Sequence, residues 1–81
     1  MVSLPELRTE KEQYETDLSF LIHEGELLHD KIVTAKKEQK LPPYAIAGME
    51  IQMQELAGKV LRIHWEINRV VGKIADIEDT N

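Results

Sequence analysis

The chain has no cysteine among its 81 residues. That excludes a disulfide framework, a thiolate metal site and a cysteine nucleophile. Its four glycines stand alone, so no Gly-rich phosphate loop is present. No apolar run approaches the roughly 18 residues of a membrane helix. The chain begins without a basic-then-apolar leader at Met1, which makes the cytoplasm the expected compartment, the host cytoplasm if the protein is viral. Positive charge is in short supply, with 10 Lys and Arg against 15 Asp and Glu, so the broad basic face of a duplex-DNA binder is missing.

Catalytic constellations are missing too. No serine or threonine sits in a nucleophile motif. His23, His29 and His64 lack the i,i+4 spacing of a helical metal pair. Glu50, Glu55, Glu66, Asp76 and Glu78 are scattered over solvent-type positions and form no acid–base pair. The expectation is a non-enzyme with neither metal nor cofactor.

What the chain does have is periodicity. Apolar residues fall at Ile46, Met49, Met53, Leu56, Val60, Ile63, Ile67, Val70, Ile74 and Ile77. The steps alternate three and four, which puts one apolar seam along a long α-helix. The same alternation runs through Leu4, Leu7, Lys11, Tyr14, Leu18, Leu21, Gly25, Leu28, Ile32 and Ala35. Lys11 can hold its place only by snorkelling. Gly25 costs about 1 kcal/mol of helix propensity against alanine; a continuous helix through it is expected, with a kink or break there, giving three helices, as the alternative.

Ser3 and Glu6 read as a capping box, with Leu4 and Pro5 in the first turn. Leu41-Pro42-Pro43 separates the two repeats, because a proline disfavours helical geometry in the residue before it. Equal repeats with a short connection fold back antiparallel. The predicted architecture is all-α: a single domain over 1–81, an antiparallel two-helix hairpin with helix 1 about 4–39 and helix 2 about 43–78. One register pairs every layer, from Ala35 with Ile46 at the turn to Leu4 with Ile77 at the far end.

A hairpin uses one seam per helix, and this chain has apolar residues to spare. Ile51, Gly58, Trp65 and Gly72 recur every seven residues away from the seam, with Leu61 beside them. Phe20 and Leu27 lie off the seam of helix 1. Contiguous exposed apolar surface marks an interface. These seven residues are the expected contact surface of a helical-bundle homo-oligomer.

Charge is distributed unevenly. Residues 1–30 carry eight acids against Arg8 and Lys11. Lys36, Lys37 and Lys40 gather before the Pro-Pro turn, next to Tyr44. Two readings stand there: the lysines neutralise the negative end of helix 1, or they hold an anion. Lys59, Arg62, Arg69 and Lys73 form a second basic strip beside Trp65. Cation plus aromatic is the chemistry of nucleotide binding, with phosphate pairing and base stacking. The plain alternative is a solvated helix face balanced by neighbouring acids such as Glu55 and Glu66.

Leu41-Pro42-Pro43, Gln52-Met53, then Leu56, Val60, Ile63 and Ile67, with Arg8, Glu10-Lys11 and Tyr14 upstream, carry a family likeness. Over about two thirds of its length the chain resembles small helical-hairpin accessory proteins of tailed bacteriophages, including crAss-like phages. The resemblance implies a viral protein that counters host defence, and it transfers no catalytic residue. Three functions are weighed. The first is a non-catalytic oligomer that sequesters a nucleotide immune signal. The second is an antagonist or adaptor that covers a host defence protein with acidic helix 1. The third is a purely structural coiled-coil module.

Overall fold

The computed structural model describes residues 3–79, and the reading made at Met1 lies outside them. Two helices account for the fold: α1, Leu4–Glu38, and α2, Pro43–Asp79. Each agrees with the predicted span to within a residue at either end. No strand occurs among the described residues. The hairpin measures 60 × 16 × 14 Å, close to the length expected for helices of 35 and 37 residues at about 1.5 Å rise.

Local chemistry sets the ends. Ser3 is extended, at φ −86° and ψ 161°, and its hydroxyl accepts from the Glu6 N–H at 3.4 Å. The Leu7 N–H donates to the Ser3 carbonyl at 3.0 Å, closing the first turn. Pro5 sits where its missing N–H has no intrahelical acceptor to lose. Pro43 is the first residue of α2, and the Pro42 carbonyl accepts from Ala45 at 3.0 Å and Ile46 at 3.4 Å.

Gln39 ends α1 in the left-handed region, φ 54° and ψ 32°, with its N–H donating to the Ala35 carbonyl at 3.0 Å. This is the position where helices usually carry glycine or asparagine. A glutamine there bears the Cβ strain that glycine avoids. Gly25 does not break α1, so the three-helix alternative does not form.

Every one of the twenty seam positions is buried or half-buried, Lys11 and Gly25 included. Outside the seam only Glu10, Ala45 and Glu66 reach half-burial among the described residues. Lys11 meets its apolar position by turning outward, its amine 3.5 Å from Glu15.

The register holds from end to end. Arg8 meets Glu78 at 3.2 Å near the termini, and Lys36 meets Glu50 at 3.2 Å near the turn. From Arg8 to Lys36, and from Glu50 to Glu78, the spacing is the same 28 residues on each helix. A slip or a bulge in either helix would break that equality.

Burial is uneven along the seam. Among the described residues the buried ones are Leu7 and Val70 at one end, both fully enclosed, with Ile32 and Ala35 at the other. Between them, from Tyr14 to Leu28 and from Met49 to Ile67, the seam is only half covered. Two helices touch along a line, and large apolar side chains stand out on either side of it. The hairpin therefore leaves the middle of its own core open.

Candidate functional site

The first expected cation group lies around the turn. Lys36 is committed to Glu50, and Lys40 reaches Glu38 at 3.9 Å. Lys37 makes no ion pair among the described residues. Tyr44 is 80% exposed on the first turn of α2. Lys36 and Lys37 occupy the last turn of α1, where cations suit the negative end of the helix. That placement is compatible with both readings of the cluster.

The second group follows α2. Arg62, Trp65 and Arg69 are spaced by three and four residues, which stacks them on one stripe of the helix. Trp65 is 65% exposed. Arg69 is engaged: its Nε and Nη2 donate to Glu66 Oε2 at 3.0 and 2.7 Å, and Nη2 lies 3.6 Å from Glu10. The hydrogen bond and the charge of Glu66 raise the Arg69 pKa above the ordinary arginine value, with Glu10 and Tyr14 adding to the effect against partial desolvation. Lys59, Arg62 and Lys73 make no ion pair among the described residues. The pairs that do exist join Arg69 to the two half-buried carboxylates Glu66 and Glu10.

One chain does not unite the two groups. Tyr44 and Trp65 are 21 residues apart on one helix, about 32 Å at 1.5 Å per residue. No small ligand spans that distance. A site using both must draw them from different chains.

Lys31 belongs to the same basic stretch as Lys36, Lys37 and Lys40 but was not among the expected ligand residues. Lys31 and Lys59 line one hollow of about 430 Å³ together with Gln52, Glu24 and Glu55. Lys31 and Lys40 line another of about 600 Å³ with Leu27 and Leu41. Facing positions beside the seam of an antiparallel pair lie close together, which brings Lys31 of α1 and Lys59 of α2 to one hollow.

The expected contact residues are exposed, and they do not share one side. Phe20 and Leu27, seven residues apart, keep to one side of α1. Leu61 and Ile22 line the same apolar groove, about 650 Å³, over the half-open centre of the seam. Leu27 belongs to the hollows on the other side. Ile51, Gly58, Trp65 and Gly72 keep their seven-residue stripe on the back of α2, and no atom beyond the helix's own backbone and immediate neighbours comes within 4 Å of a Cβ built on either glycine.

Among the described residues no group of three or more His, Asp and Glu is placed to hold a metal, and no helix is long and apolar enough to cross a membrane. In comparisons with known proteins, no family model, no curated protein and no solved structure matches this chain.

Proposed function

We propose that this protein is a non-catalytic, phage-encoded helical subunit that assembles with copies of itself and sequesters a small nucleotide signal of host immunity. The observation that carries the proposal is the exposure of Trp65 on a helix stripe that also carries Arg62 three residues before it and Arg69 four residues after, with Lys73 one turn beyond. A base stacks on an aromatic face while guanidinium and ammonium groups pair with phosphate. The two cation–aromatic groups are too far apart to serve one ligand in one chain. The pocket in this reading is therefore built between chains, and assembly is part of binding. The resemblance to phage hairpin proteins supplies the viral setting.

The test is uptake and recovery. Purified protein is mixed with a panel of mononucleotides and cyclic dinucleotides, and free ligand is measured after filtration. The expected result is depletion of at least one nucleotide, with chemically intact ligand released on heating. An oligomeric protein that takes up none of the panel would overturn the nucleotide reading.

The acidic surface of α1 favours a second reading. Glu12, Glu15, Asp17, Glu24 and Glu26 are all exposed. Such a surface suits a basic groove on a host defence protein. Under that reading the oligomer takes up no nucleotide and a basic protein partner co-purifies. A purely structural module shows neither.

A further inference from the structure

The apolar groove over the seam is self-complementary. Its floor holds Leu21 and Gly25 of α1, and its wall on the α2 side is Leu61. A Cβ placed on Gly25 meets nothing within 4 Å, so the glycine leaves a hole in an otherwise large-residue seam. Leu61 is 70% exposed, a projecting knob at the same groove. The ion pairs Arg8–Glu78 and Lys36–Glu50 bound the apolar stretch along the hairpin.

We infer that the groove is filled by the same groove of a second copy, giving a two-fold, four-helix bundle in which Leu61 of each chain seats in the Gly25 hole of the other. A two-fold axis along the groove keeps each residue at its own height and lays α2 of one copy over α1 of its mate. Leu61 then stands above Leu21, Ile22 and Gly25. Every helix has antiparallel neighbours, which sets opposite dipole ends together. The rival arrangement, with α1 over α1, brings together the more acidic helices: α1 carries nine acids and five bases, α2 six acids and four bases.

Size supports a copy of equal length as the occupant. The face measures 60 by 16 Å, and a copy of equal length can lie along it far enough to approach the roughly 800 Å² per partner of a standard stable interface. The Arg62–Trp65–Arg69 stripe remains on the outside of this dimer, open to ligand or to further copies. The inference rests on the self-assembly in the reading above and identifies the face that forms it.

The cysteine-free chain allows a direct test. Ile22→Cys and Leu61→Cys chains, whose substituted positions line the groove at nearly the same height, are mixed under mild oxidation, alongside sedimentation of the wild type. The expected product is the mixed disulfide dimer in excess over either self-linked species. An oligomeric wild type whose mixture gives no mixed disulfide overturns the groove pairing and leaves self-assembly standing. A wild type that sediments as a monomer at tens of micromolar overturns both. Gly25→Leu provides a second measurement, because it fills the hole while improving helix propensity. A variant that stays helical and associates at least tenfold more weakly supports the inference; one that stays helical and associates like wild type refutes it.

Discussion

Val70 and Val71 offer a controlled perturbation of the seam. They are adjacent and chemically identical, yet Val70 is 0% exposed and Val71 is 42% exposed. Truncation to alanine removes two carbons from each. At Val70 the lost transfer energy is about 1.6 kcal/mol, taking ~0.8 per buried carbon. The cavity left behind adds to that. Alanine's better helix propensity returns about 0.5 kcal/mol. The net expectation is a loss of about 1.5–2 kcal/mol for Val70→Ala. For Val71→Ala the propensity gain offsets the small burial loss, and the change stays within about 0.5 kcal/mol. For 81 residues, total stability by general scaling is about 4–12 kcal/mol, so the first loss is readily measured and the second is marginal. The assay is urea denaturation followed by helical circular dichroism, at one fixed protein concentration with the slopes compared. Equal losses for the two valines, or a loss under about 0.5 kcal/mol at Val70, would refute the register that buries one and exposes the other.

Three further outcomes follow from the geometry. Ile63→Asp puts an unpaired carboxylate on the seam at a cost of several kcal/mol, and the expected result is an unfolded or dissociated protein; an unchanged melting temperature would contradict the seam. Gln39→Gly relieves the left-handed Cβ strain and is expected to stabilise by about 1 kcal/mol, read as a higher urea midpoint. Arg8→Gln, which breaks the exposed pair with Glu78, is expected to cost under about 1 kcal/mol, and less still in 1 M salt; a loss above 2 kcal/mol would mean the pair is a structural clamp.

The seam was legible because a heptad fixes which side of a helix is buried whatever its partner is. Lys11 and Gly25 looked like faults in the pattern, yet both hold their places, one by extending its stem outward and the other by leaving a gap. The Gln39 conformation was not legible, since glutamine has no turn signature and adopts the left-handed region only because the chain must leave α1 there. The uneven burial was hidden as well. Spacing sets alignment around the axis, whereas the closeness of two helices at each level depends on the sizes of the side chains that meet. The seven expected contact residues were read as one surface. Placing them on helices splits them, because Leu61 lines the groove on one side of the seam while Leu27 borders the hollows on the other, a division that a linear scan does not display. The cations were found as sets, and their commitments to Glu50 and Glu66 appeared only once the helices were side by side.

The equal spacing of the Arg8–Glu78 and Lys36–Glu50 pairs has a consequence for shape. A straight α-helix drifts about 20° per heptad from a seven-residue repeat. Four heptads of unbroken register accumulate about 80°, which the two helices absorb by winding around each other in a left-handed sense. Over the ~42 Å between the two ion pairs, a supercoil pitch of about 150 Å gives nearly the same figure, about 100°. Each lateral surface of the hairpin is thus a ribbon that rotates by about a quarter of a turn from the termini to the turn. A flat or straight partner meets such a ribbon only over its middle. A body of the same hand and pitch can follow it along its whole length, and another molecule of this chain has both.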